Sequence, residues 1–131
     1  NEVRLIDDSY NANPESVIAA MGVLSDAPGR RFLVLGDLAE LGADGTGMTG
    51  ELGVRAREFG LDGLYTLGGL SRHASAAFGD GGRHFDELPD LLAALTGLLR
   101  PGDTVLVKGS RSARMERVVA ALAADEEKLA C

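Results

Sequence analysis

The sequence has one cysteine, Cys131, at its last position. That excludes an internal disulfide and a cysteine zinc site. Tryptophan is absent and aromatic residues make up only 5%, which leaves little for a base-stacking surface. Cations are in the minority: 13 Lys and Arg stand against 20 Asp and Glu, a formal charge of −7. This balance argues against general nucleic-acid binding. No apolar run approaches the roughly 18 residues of a membrane span, and no secretory signal pattern is visible. A G-x-x-x-x-G-K-[ST] phosphate loop is missing. His73 and His84 have no His or Cys four residues on, so no metal site is expected. What remains is 131 residues that are 45% hydrophobic. They read as a single globular domain over 1–131, able to bury roughly two-thirds of its unfolded surface.

Short apolar runs at 3–6, 31–35, 64–67 and 104–107, with a weaker one at 83–85, mostly end in Gly or Asp. Such runs fit strands buried on both faces of a parallel sheet. Helical spacing fills the gaps. Val17, Ile18, Met21 and Leu24 share one face, behind Asn13 as N-cap and Pro14 at the first helical position. Leu52, Ala56 and Phe59 form a second stripe, stopped at Gly60. A short third helix is expected over 71–78. Leu88, Leu91, Leu92, Leu95, Leu98 and Leu99 form a fourth, ended by Pro101-Gly102. Met115, Val118, Val119 and Leu122 form the last, with Ser112 as its cap and 125–131 as a frayed tail. The Gly-rich stretch 42–50 reads as a mobile loop. The alternation predicts an α/β fold: a doubly wound, mostly parallel sheet of five to six strands in three layers.

In such sheets ligands bind beyond the carboxyl ends of the strands. The segments there are 7–14, 36–42, 68–72 and 108–114. The first, Asp-Asp-Ser-Tyr-Asn-Ala-Asn-Pro, holds more chemistry than a turn needs. A carboxylate such as Asp8 can accept from ribose hydroxyls, Tyr10 can lie against a base and Asn11 can donate to a phosphate. Equally, the segment can be an Asx-type turn with a helix cap. Asp37 and Glu40 follow the second strand, as substrate or metal-water contacts or as a solvated turn. Lys108, Ser110 and Arg111 lead from the last strand, where an Arg can grip a carboxylate in bidentate fashion; surface charge is the plain alternative. Gly68-Gly69 can form a phosphate turn, although it lacks G-x-G-x-x-G spacing.

Three motifs carry a resemblance: Asp7-Asp8-Ser9-Tyr10-Asn11-Ala12-Asn13-Pro14, then Gly36-Asp37-Leu38-Ala39-Glu40-Leu41-Gly42, then Lys108-Gly109-Ser110-Arg111. In order and position they resemble the carboxy-terminal domain of the Mur ligase family, over nearly the whole chain. The Tyr-Asn-Ala-Asn-Pro form is that of members that add D-alanyl-D-alanine, where related ligases carry a His-containing version. The resemblance implies a Rossmann-like third domain. It implies a preceding UDP-sugar domain and a central P-loop ATPase domain, neither of them within these residues. It also implies a cytoplasmic enzyme of peptidoglycan synthesis that joins D-alanyl-D-alanine to UDP-MurNAc-tripeptide through an acyl phosphate. ATP and Mg²⁺ would be bound mainly by the central domain, and this domain by itself would be inactive.

By the same resemblance Asp8 holds the ATP ribose, Tyr10 the base or sugar edge, and Asn11 the phosphate region. Asp37, Glu40, Lys108, Ser110 and Arg111 face the incoming dipeptide, with Arg111 on its carboxylate. No catalytic residue and no metal ligand is expected within the domain itself, and neither nucleic acid nor membrane insertion is implied. Family members often carry a histidine near the start of the second helix; Thr49-Gly50-Glu51-Leu52-Gly53 has none, and Thr49 reads there as a helix cap. A stand-alone nucleotide- or anion-binding module is the alternative.

Overall fold

Apolar runs closed by Gly or Asp become the strands of one sheet. The structure is a computed structural model describing residues 3–9, 12–39 and 41–130, with backbone alone over 125–130. Its strands are β1 (Arg4–Asp8), β2 (Arg31–Gly36), β3 (Gly63–Leu67), β4 (Gly82–Phe85) and β5 (Thr104–Lys108). The helices are α1 (Pro14–Ser25), α2 (Gly45–Glu58), α3 (Arg72–Phe78), α4 (Leu88–Leu98) and α5 (Glu116–Ala130). The five strands lie in the order β1-β5-β2-β3-β4, and every pairing is parallel. The expected fold class is therefore present, with five strands.

Strand alternation sends side chains to opposite faces. Leu33, Leu35, Leu64 and Leu106 pack under α1, α2 and α3, against Val17, Met21, Leu52, Ala56 and Phe78. Phe32, Val34, Tyr65, Val105 and Val107 pack under α4 and α5, against Leu91, Leu95, Val118 and Leu122. The sheet is thus covered on both sides, as a parallel sheet requires. Asn13 caps α1 as expected: its Oδ1 accepts from Ser16 N at 2.8 Å, and its own N–H donates to Ser16 Oγ at 3.0 Å. Such a reciprocal cap is worth about 1 kcal/mol. Gly60, at φ 75°, follows Phe59 at the end of α2 and stops it as the sequence suggests.

Several expectations are corrected. The stretch 42–50 is not a loop: a 3₁₀ turn at Gly42–Asp44 runs straight into α2. Its glycines weaken a helix, but close packing overrides them. A Cβ on Gly53 would overlap the Ala74 carbonyl of α3, so the small residue is what lets the two helices touch. Thr49 is not a cap. It lies within α2, 2% exposed, and its hydroxyl has no hydrogen-bond partner among the described residues. Ser112 is not the α5 cap either, since it sits inside a 3₁₀ turn at Arg111–Ala113. Finally, α5 continues to Ala130 where a frayed tail was expected; Cys131 lies outside the described residues.

The amino ends of β2 and β5 are clamped by an ion pair. Arg30 Nε donates to Asp103 Oδ1 at 2.9 Å and Nη2 to Oδ2 at 2.6 Å, while Nη2 also reaches Leu98 O. Arg100 N adds a bond to Asp103 Oδ2 at 2.8 Å. Burial pushes the Asp103 carboxyl up. The Arg30 and Arg100 hydrogen bonds outweigh it and hold the group below its usual range. A carboxyl lowered in the folded state stabilises the fold above its unfolded pKa, and that contribution is lost as pH falls through the folded value. Asp103→Asn is therefore expected to lower stability at pH 7. The gap to wild type should then close in urea titrations as pH falls below the ordinary carboxylate range. A gap independent of pH would exclude the ion pair as its source.

Candidate functional site

The strand order creates the site. β5 returns between β1 and β2. It feeds α5 on one face of the sheet, whereas β1 and β2 feed α1 and α2 on the other. The chain leaves neighbouring strands in opposite directions, and a crevice opens at their carboxyl ends. Segments distant in sequence meet there.

One such meeting is between Asp8 and Lys108, paired in register on β1 and β5. Lys108 Nζ donates to Asp8 Oδ2 at 2.8 Å. The Lys108 side chain is 2% exposed and that of Asp8 45%. Lys108, expected to face a substrate, is instead sealed behind Asp8 and reaches the rim through that carboxylate. The asymmetry has energetic consequences. Removing Asp8 takes a charged partner from a buried ammonium, which costs more than the same loss at an exposed pair. Removing Lys108 leaves a carboxylate that water can still reach. One residue earlier, Asp7 Oδ1 accepts from Ser9 Oγ at 2.6 Å and Ser9 N at 3.1 Å, a local turn. Tyr10, Asn11 and Glu40 lie outside the described residues.

Asp37 ties the next two turns to β2. Its Oδ1 accepts from Ser71 N at 2.7 Å and Leu70 N at 3.1 Å. The Gly68-Gly69 turn thus already holds an anion, a carboxylate from within the chain, in the position a phosphate turn would offer. The Asp37 carbonyl oxygen accepts from Ser110 N at 3.1 Å and from Ser110 Oγ at 2.8 Å. Asp37 and Ser110 were expected at the substrate face; the described bonds of their side chains hold the rim's shape. Gly36 and Gly109 make the approach possible. A Cβ on either would lie 2.6 Å from Met115 Cγ, and one on Gly109 would lie 3.3 Å from Gly36 Cα. The sequence shows both glycines, but their mutual contact is a product of strand order.

Arg111 is exposed beyond this turn. It borders a hollow of about 420 Å³ with Asp7, Ser9 and Glu116. A second hollow of about 450 Å³, lined by Asp37, Gly68, Asp86, Glu87 and Arg117 among others, lies on the other side of the turn. Arg117 braces the connection to α5. Its Nε donates to Arg114 O at 2.9 Å and its Nη2 to Ala113 O at 3.3 Å. Arg114 there adopts φ 55°, the one left-handed non-glycine among the described residues. The spacing of Arg117 from Arg114 was the only signal in the sequence. His84 serves elsewhere: it bonds Thr66 Oγ1 through Nδ1 and Asp86 through Nε2, each at 3.0 Å. No group of three or more metal-ligating side chains occurs among the described residues.

Comparison with known proteins bears on what this rim does. A family model described as Mur ligase, glutamate ligase domain, matches residues 1–111. The UDP-N-acetylmuramoyl-tripeptide–D-alanyl-D-alanine ligase of Escherichia coli K12 is 46% identical over 120 residues, covering 90% of this chain and 26% of that protein. The MurF ligase of Thermotoga maritima, solved in complex with ADP, superposes with a TM-score of 0.82 at 32% identity; 98% of this chain and 30% of that one are covered. A domain solved separately, from Haemophilus ducreyi 35000HP, shares the fold at TM-score 0.60 and 14% identity, with 92% of both chains covered. The chain spans about a quarter of the length of the curated relatives it matches.

The Asp37 bonds make a direct prediction. Asp37→Ala leaves two backbone donors unpaired, each worth about 1–3 kcal/mol if it stays buried. Amide exchange at Leu70 and Ser71 should accelerate about tenfold or more in this variant. Ser110, which bonds the Asp37 main chain, should keep its protection. Unchanged exchange at Leu70 and Ser71 would remove Asp37 from this role.

Proposed function

Because the chain belongs to the Mur ligase family, matching its glutamate ligase domain, we propose that it is the carboxy-terminal third domain of an ATP-dependent ligase. That ligase joins D-alanyl-D-alanine to UDP-MurNAc-tripeptide in peptidoglycan synthesis. The observation that carries this reading is the convergence of the three motif-bearing turns on one rim, bound together by the Lys108–Asp8 and Asp37–Ser110 contacts. Such a rim is half a cleft. A UDP-sugar domain and a P-loop ATPase domain, outside these residues, supply the rest. We assign the reaction to the cytoplasm, where ATP and a UDP-linked sugar peptide are available.

In this proposal ATP is a co-substrate that activates the tripeptide carboxylate as an acyl phosphate. Mg²⁺ is held by the central domain. The dipeptide amine attacks the acyl carbon, and the tetrahedral intermediate expels phosphate. The rim contributes position rather than a proton or a nucleophile. Asp8, half exposed, accepts from the ATP ribose, with Tyr10 and Asn11 beside it toward the base and phosphates. Arg111 grips the dipeptide carboxylate, and the 420 Å³ hollow it borders has room for so small a molecule. Asp37, Lys108 and Ser110 shape that turn from within, with Glu40 on the adjoining loop. Closure of this domain onto the central one excludes water from the acyl phosphate.

The test is ligation itself. The intact protein, given ATP, UDP-MurNAc-tripeptide and D-alanyl-D-alanine, should release phosphate and form the pentapeptide product, read by mass spectrometry. Residues 1–131 alone should form none. Nucleotide binding by the intact protein without ligation would favour a binding module instead. Arg111→Ala should raise KM for the dipeptide about tenfold or more, as loss of a charge-assisted contact does, with KM for ATP little changed. Equal KM values in variant and wild type would take the dipeptide carboxylate away from Arg111.

A further inference from the structure

The most buried cation at the rim is Lys108, at 2% exposure, and it lies behind the carboxylate assigned to the nucleotide. We infer that Lys108 is a positioning residue for ATP, acting through Asp8 rather than touching substrate. The inference rests on Asp8 being the ribose ligand.

The geometry supports this in three ways. First, the ammonium cannot meet a ligand on the rim without displacing Asp8, whose Oδ2 it holds at 2.8 Å. Second, an ionised carboxylate has about four acceptor sites. The bond to Lys108 therefore leaves capacity for two ribose hydroxyls on the exposed side. Third, Asp8 and Lys108 are register partners at the ends of adjacent parallel strands. The lysine stem is fixed by a fully buried strand, and its charged end fixes a side chain on the edge strand β1. A half-exposed Asp at a strand end has several open rotamers. One charge-assisted bond from a rigid donor selects among them before ATP arrives, which removes an ordering cost from binding. The second Asp of the acidic pair is thereby distinguished from the first, whose described bonds are local ones to Ser9.

The test uses the intact ligase and a probe lacking the relevant hydroxyls, 2′,3′-dideoxy-ATP. In wild type, kcat/KM for ATP should exceed that for the dideoxy analogue about tenfold or more, the worth of hydrogen bonds to a charged group. Lys108→Met should shrink that ratio to about twofold by raising KM for ATP, with KM for the dideoxy analogue little changed. Lys108→Arg should restore part of it. Asp8→Asn should shrink the ratio similarly, and the Asp8→Asn/Lys108→Met double variant should lose no more than either single variant, because both act on one contact. Thermal melts check that each variant is folded at the assay temperature. Lys108→Gln serves in place of Lys108→Met if the latter does not fold. If Asp8→Asn shrinks the ratio and the Lys108 variants keep it, the inference is overturned and the nucleotide reading of Asp8 stands. If Asp8→Asn keeps the wild-type ratio, Asp8 is not the ribose ligand and both fall.

Discussion

The rim depends on where β5 is inserted. A chain that has already laid down four strands returns to the gap between its first and second. That single topological act brings residue 108 against residue 8 and residue 110 against residue 37. It also forces Gly36 and Gly109 together, since two chain exits of opposite direction must pass at one point. Parallel pairing fixes the register, so the contact is not free to slide: moving β5 by one residue would turn Lys108 onto the opposite face. The bidentate Arg30–Asp103 clamp at the amino ends guards the same register from the other side.

Much of this was legible in the residues. Buried parallel strands declare themselves as aliphatic runs, and all five fall within a residue or two of where those runs lie. Asn13-Pro14 and Gly60 act locally, so their capping roles can be read from position alone. The failures share a cause. The start of α2 looks like a loop because Gly45, Gly47 and Gly50 have poor helix propensity. What no local pattern contains is the packing of α2 on α3, where Gly53 meets Ala74. The inward bonds of Lys108 and Asp37 are likewise hidden from any local pattern. Their partners lie 100 and up to 73 residues away, so their inward use follows from topology.

Side chains at the rim thus divide into those that shape it and those left to act. Lys108, Asp37 and Ser110 are committed to partners within the fold, whereas Arg111 is exposed and Asp8 half exposed. A rim built this way keeps its outline without a ligand. A surface shaped beforehand lowers the cost of binding, because binding then need not also order it.

The glycine-rich opening of α2 has a thermal corollary. Each glycine in a helix interior is worth about 1 kcal/mol less than alanine, and Gly47 and Gly50 fall within the first six residues of this helix. Its front turns are held by tertiary fit to a neighbour more than by their own backbone. On warming, unwinding should begin at that shoulder, next to the Asp37 loop, while the sheet beneath stays intact. The domain joins a stiff floor to a yielding lip beside the crevice at the strand ends.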